Sequence, residues 1–250
     1  MSIFTKGNLQ GLKVYIEKSN WKMTLNFIQE HIFGDNFFFF FDTDRGHNLS
    51  IFSEEISEKD IKKLADFIEI LPYPNGKQSQ DPIFENFPSG SLVKIDKISN
   101  HSDIQLINPV KEAISFQKNL SAVLIGALNY NDFFIEEKNR INIALQLAFL
   151  AMVRANFSKI ISSAIITNPS AIQKEVDPDL MVFFEELQDI ENEENIEPWV
   201  INWIELTKET ETLEEINYIQ ESVCQALEIR TFAPKITETL LSILTKIHSK

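Results

Sequence analysis

The sequence predicts an α+β fold, in which an N-terminal mixed sheet with helices is followed by a mainly helical C-terminal half. Three observations carry this. Strand-like and helix-like stretches alternate up to residue 107, a run of five phenylalanines, Phe37 to Phe41, marks a strand covered on both faces, and from Asn108 the apolar period becomes helical. The chain has 250 residues, 28.8 kDa, 44% hydrophobic and 24% charged residues, which places it among ordinary globular proteins able to bury a sizeable core. It reads as a single domain, 1–250, with a sheet-containing part, 1–107, and a mainly helical part, 108–250.

Leu12 to Ile16 forms the first strand, and Trp21 to Phe33 a helix capped by Ser19 or Asn20 and stopped by Gly34. The phenylalanine run is expected to be a central strand. Asp42-Thr43-Asp44-Arg45-Gly46 is turn chemistry and Asn48 to Phe52 is extended again, so the two strands make a hairpin. Ser57 and Asp60 open a helix that runs to about Ile70, its inner face carried by Ile61, Leu64, Ala65 and Ile68. Breakers between Pro72 and Gly90 make a long connection, after which Ser91 to Ile98 adds a strand. Pro109 suits the first position of the next helix. Ile141 to Ile166 is apolar on nearly all sides and belongs at the centre of a domain, while Pro169, Pro178, Pro198 and Pro234 divide the remainder into helices near 170–176, 178–190, 198–208, 212–229 and 235–249. No repeat of fixed period is present, which argues against a solenoid.

The net charge of −14 disfavours direct binding to nucleic acid and to an anionic membrane surface. The polar residues Asn142, Gln146, Arg154, Asn156 and Lys159 interrupt the longest apolar stretch, so no membrane span is expected. One cysteine, Cys224, cannot form an intramolecular disulfide, and Ser-Ile-Phe-Thr-Lys after Met1 lacks the features of a signal peptide. A cytoplasmic protein is expected. Charge is uneven: residues 1–125 hold 13 basic and 16 acidic side chains, residues 126–250 hold 10 and 21. There is no phosphate loop, HExxH, GxSxG or zinc spacing, and His31, His47, His101 and His248 are far apart in the chain, so neither a metal nor another cofactor is expected.

Four features remain as candidates. Asp42, Asp44, Arg45 and His47 stand together at the hairpin tip, where the alternatives are a catalytic constellation or a simple solvated turn. The segment 185–197 carries seven carboxylates and no base, and is either a solvated helix end or a docking surface for a basic partner. Trp199 and Trp203 lie on one helical face, either as core anchors, the reading their size favours, or as an exposed platform. Arg154, on the apolar central helix, either closes an ion pair or faces a cleft and holds an anionic group.

On Leu12-Lys13-Val14-Tyr15-Ile16, the helix Trp21 to Phe33, the strand Asn36 to Phe41 and Asp44-Arg45-Gly46-His47-Asn48-Leu49-Ser50-Ile51, the chain resembles the thiopeptide-type bacteriocin biosynthesis domain. The same domain forms the C-terminal elimination domain of class I lantibiotic dehydratases. A second stretch, Phe116 to Ser121 and Asn139 to Leu147, looks like that family's helical pair. The resemblance implies work on ribosomally made peptides without a metal, either eliminating glutamate from glutamylated Ser or Thr or cyclising a dehydrated peptide. Such elimination needs a base for the α-proton and cations for the leaving carboxylate and the enolate. With Gly46 matched, the family's His-Leu-Arg-Leu-Arg falls on Asn48, Leu49, Ser50, Ile51 and Phe52, and the arginine of the preceding strand falls near Phe41. Its Tyr-x-Pro-Glu falls on Ile107, Asn108, Pro109 and Val110, and its later histidine has no counterpart near Arg154. His47 takes the histidine's place if the register slips by one.

The resemblance thus implies a stand-alone, elimination-domain-like protein of peptide modification that binds the precursor peptide or a dehydratase subunit, with divergent or absent catalysis. An exposed edge strand of the N-terminal sheet is the natural peptide site. Two alternatives stay open: an active lyase or cyclase using His47, Arg45 and Arg154 as catalytic residues, and an unrelated acidic α+β interaction protein. Self-association as a homo-oligomer is compatible with either.

Overall fold

A computed structural model describes residues 9–73, 86–95, 111–130, 136–154, 182, 196–210 and 212–248. The class is α+β, with two compact units, residues 1–132 and 133–250.

In the first unit four strands, β1 (Gln10–Tyr15), β2 (Phe37–Asp42), β3 (Asn48–Ser53) and β4 (Leu92–Ile95), form one sheet in the order β2-β3-β1-β4, with every pairing antiparallel. Register follows the side-chain alternation. Lys13 lies opposite Ser50 and Ser50 opposite Phe40, so these residues share one face, whereas Val14, Leu49 and Phe41 share the other. Among the described strands the phenylalanine strand therefore lies at the edge, not at the centre as its composition suggests. Its five phenylalanines are all buried, because helices supply what neighbouring strands would have supplied. On one face Trp21 stacks on Phe41 with ring centres 4.4 Å apart. On the other, Phe38 packs on Phe52 at 5.2 Å. The outer edge is closed by a helix, where the backbone N–H of Phe39 donates to Oγ of Ser121 at 3.1 Å.

Helix α1 (Trp21–Ile28) continues as a π-helical turn, Gln29–Phe33, and stops at Gly34, whose φ of 57° favours glycine. Neither expected cap bonds the helix. The side chain of Asn20 is buried and donates instead to the carbonyl of Pro72 at 2.8 Å, which ties the start of α1 to the end of α2 (Glu58–Glu69). Helix α2 opens with the expected capping box, Ser57 with Asp60. The two helices run antiparallel: Phe27 stacks on Phe67 at 3.9 Å and Lys63 Nζ donates to the carbonyl of His31. Helix α3 (Lys111–Tyr130) packs along β2 and reaches α1 through Asn26 and Asn129. Gly11 is held between strands, since a Cβ there would stand 2.9 Å from both Ile95 Cδ1 and Phe52 Cε1.

The second unit is built on α4 (Glu137–Arg154), which packs against α5 (Pro198–Thr207), α6 (Leu213–Ala226) and α7 (Ala233–His248). Its sides are as apolar as the sequence implies: Ile143, Ala144 and Leu147 through Met152 are all buried. Pro198 takes the first turn of α5, and Trp203 is fully buried with its indole N–H donating to the carbonyl of Leu147 at 2.8 Å. Trp199, four residues earlier, is half-buried. The helices expected at 170–176 and 178–190, and the start proposed at Pro109, lie outside the described residues.

Helix α6 ends in a Schellman motif, with Ile229 N–H bonded to the carbonyl of Cys224 and Glu228 N–H to that of Gln225. The left-handed position of that motif, usually glycine, is held by Glu228 at φ 59°. Its carboxylate explains the choice, because Oε2 stands 2.9 Å from Nη1 of Arg140, whose side chain is 4% exposed. A guanidinium so deeply buried requires a counter-charge, and this outweighs a backbone preference of about 1 kcal/mol. Replacing Glu228 by Gly should relieve the backbone yet lower stability by about 2–4 kcal/mol, because it leaves Arg140 buried without its carboxylate. The double change Arg140→Met with Glu228→Gly should recover most of that in urea unfolding. Equal or greater loss in the double variant would contradict this account.

Candidate functional site

The polar residues of the first unit converge where β1 ends beside the β2–β3 turn. Alternation along β1 places Lys13 on the same face as Asp42 and Ser50, and its ammonium meets Asp42 Oδ2 at 3.1 Å and Asp44 Oδ2 at 3.0 Å. The other Asp42 oxygen accepts the N–H of Asp44 at 3.0 Å, so this aspartate shapes the turn and pairs with Lys13 at once. Asn48, fully buried, donates to the carbonyls of Asp44 and Gly46 at 3.1 Å each. Ser50 Oγ lies 3.1 Å from Asn48 Oδ1 and 3.4 Å from Asp42 Oδ2.

Electrostatics follow from this packing. Burial opposes the charge of Lys13, but the Asp42 charge and hydrogen bonds to both carboxylates outweigh it and raise its pKa above the ordinary 10.5. Burial likewise works against the Asp42 carboxylate, and the Asp44 N–H and the Lys13 charge overcome it, holding its pKa below the ordinary 3.8. Burial pushes the Tyr15 phenol up.

Arg45 and His47 flank Gly46 on the same turn. Arg45 has φ 56°, its carbonyl accepts the N–H of Phe87 at 2.9 Å, and its guanidinium lies 6.0 Å over the Phe87 ring. The His47 carbonyl accepts the N–H of Ile16 at 3.1 Å, and its imidazole stands edge-on to Trp21 at 6.2 Å. Beside His47 lies a niche, lined also by Tyr15, Glu17, Gly46 and Phe87, with a volume of about 20 Å³. That is room for one water and no peptide side chain.

Of the residues singled out in the sequence, Asp42, Asp44, Arg45 and His47 share the β2–β3 turn, with Asp42 and Asp44 on Lys13, Arg45 over Phe87 and His47 against Trp21. Arg154 ends α4 in the second unit, and its side chain lies outside the described residues, as does all of the acidic segment 185–197 before residue 196. Two charged residues, one half-buried and one buried, escaped the sequence reading. Lys13 is the one charge within the Leu12–Ile16 strand, and opposite-strand register with Ser50 is the signal that would have found it. Arg140 has a weaker signal, since its acid partner is 88 residues away. Cys224 is fully buried, with its thiol pushed up to about 12 by burial, which leaves it unreactive. Among the described residues no three His, Cys, Asp or Glu side chains cluster as metal ligands, and no helix is long and apolar enough to cross a membrane.

No family model and no curated protein matches the chain. A solved structure does, a pyridine synthase, TbtD, from thiomuracin biosynthesis, with a TM-score of 0.57, 10% identity, and coverage of 97% of this chain and 98% of that one. The chain therefore shares the fold of that synthase over nearly its whole length. On that fold the positions at which the thiopeptide-type family resemblance expects cations are built into packing. Asn48 and Ser50 bond within the turn cluster, while Phe41 and Phe52 are 2% exposed in the sheet's core.

The Lys13 cluster has a defined pH signature. Asp42, with its lowered folded-state pKa, contributes stability above pH 3.8 that is lost as pH falls through its folded value; Lys13 contributes below pH 10.5 and loses it at higher pH. Asp42→Asn should therefore cost about 1 kcal/mol between pH 5 and 9, allowing for partial solvent screening, and progressively less below pH 4. Denaturant unfolding at pH 7 and pH 3 checks this; an equal loss at both would contradict it.

Proposed function

We propose that this chain acts in the biosynthesis of a ribosomally made, modified peptide, binding the precursor peptide or a dehydratase subunit, with divergent or absent catalysis. The observation that carries the reading is the fold correspondence with a thiomuracin pyridine synthase across nearly the full length of both chains. Two features of the site favour binding over turnover. The niche at His47 holds about 20 Å³, and asparagine, serine and phenylalanine stand where the family resemblance expects cations.

A binding role needs no particular side chains. An extended peptide can pair with a sheet edge through its backbone. Of the two edges, β2 is closed by Ser121 of α3, and no described strand pairs with the outer side of β4. Leu92–Ile95 is therefore the edge assigned to the peptide.

The competing enzymatic reading, a lyase or cyclase, draws on the shared turn of Arg45 and His47, with His47 as the base and Arg45 and Arg154 as cations for the departing carboxylate and the enolate. One experiment separates the two. The purified protein is mixed with any dehydratase-like subunit and any short precursor peptide encoded near its gene, and then with the glutamylated or dehydrated form of that peptide. Retention of subunit or precursor with no change in peptide mass is the expected outcome. A mass change abolished by His47→Ala would replace the binding reading with the enzymatic one, and retention of neither partner would overturn both.

A further inference from the structure

The outward face of α2 carries a charge pattern that the fold around it does not use. Lys59, Lys62, Asp66 and Glu69 follow one another at spacings of three and four, so they share one stripe, and all four are exposed. Bases fill its first half and acids its second. That order works against the helix itself, because its C-terminal end favours a base, and at a spacing of four an acid ahead of its base is the better arrangement. Among the described residues none of these four charges meets a partner within the chain. Their neighbours on the helix are already engaged, Lys63 on the carbonyl of His31 and Glu58 on Lys94. We infer that this face binds a second copy of the chain, with α2 packed antiparallel on α2 about a two-fold axis.

The order of the charges selects this partner. An antiparallel copy reverses it, and with the axis at the level of Leu64 it sets Lys59 against Glu69, and Lys62 against Asp66, of the second copy. Two-fold symmetry repeats both contacts, so every charge of the stripe meets its opposite. A parallel copy would set like against like, and a partner of one sign would repel half of the stripe. Opposite helix ends also come together in the antiparallel arrangement. Apolar surface lies beside the charges. Met23 and Ile70 are 47% and 78% exposed, at the end of the helix pair where Asn20 bonds the carbonyl of Pro72, and each is about one turn from the stacked pair Phe27 and Phe67. In the paired register Ile70 falls beside the Lys59 of the second copy, whose aliphatic stem can cover it. The inference concerns this helix face alone and does not depend on the peptide-biosynthesis reading.

Sedimentation equilibrium of the full chain over a range of concentrations tests it. A monomer–dimer equilibrium that weakens at high salt is expected. Lys62→Glu and Asp66→Lys should each weaken the dimer about tenfold, because a like-charged pair then recurs at both symmetry-related contacts. A one-to-one mixture of the two variants should associate at least as tightly as the unchanged chain, since every charge of one variant then faces its opposite on the other. A change within a single helix cannot produce that recovery. Glu205→Gln on α5, an exposed carboxylate away from this face, should leave association unchanged, and thermal unfolding confirms that each variant is folded. A monomer at every concentration, a dimer indifferent to both variants, or a mixture no tighter than either variant alone would overturn the assignment.

Discussion

The first unit depends on burying five consecutive phenylalanines in a strand that lies at the edge of its sheet. An edge strand so apolar would ordinarily invite pairing with another chain. Here α3 lies along it and Ser121 takes the Phe39 N–H, so the strand gains the burial of a central strand without a second neighbour among the described strands. Much of the rest follows from that arrangement. Trp21 opens α1 against Phe41, α2 docks on α1 through Phe27 and Phe67, and the sheet is left with β4 as the edge that no described strand covers.

The second unit solves a different problem, a buried guanidinium. Arg140 sits in the first turn of a helix otherwise buried by apolar side chains, and its counter-ion comes from the end of α6. Holding Glu228 in a conformation that favours glycine is the structural consequence. The two units thus carry opposite kinds of constraint: one is organised around aromatic area, the other around a single desolvated charge whose partner had to be placed by a helix cap.

Elements whose signals are local were legible in the sequence. The Ser57–Asp60 capping box, the hairpin at Asp42–Gly46, Pro198 at the start of α5 and the all-round apolar α4 each rest on residues within a few positions of one another. What failed depended on distant partners. Asn20 had the composition of a cap, but a carbonyl 52 residues away claimed its side chain. The phenylalanine run correctly indicated two covered faces, yet nothing in it could reveal that a helix some 80 residues on would close its edge. At the site, turn chemistry brought out Asp42, Asp44, Arg45 and His47, while Lys13 became visible only once β1 was registered against β3. The resemblance seen in short motifs, and the absence of their cations, became interpretable when Asn48, Ser50, Phe41 and Phe52 proved to be packing residues on a fold shared with a pyridine synthase.

In the proposed reading the chain holds a peptide by backbone pairing, and the peptide is assigned to β4 because α3 closes the β2 edge. Hydrogen exchange of the β4 amides, Leu92–Ile95, with and without a candidate precursor peptide, tests that most directly. The account predicts slowed exchange confined to β4 and its new outer neighbours, with the β2 amides unchanged. Unaltered exchange in β4 while the peptide is bound, or protection appearing along β2 instead, would contradict it.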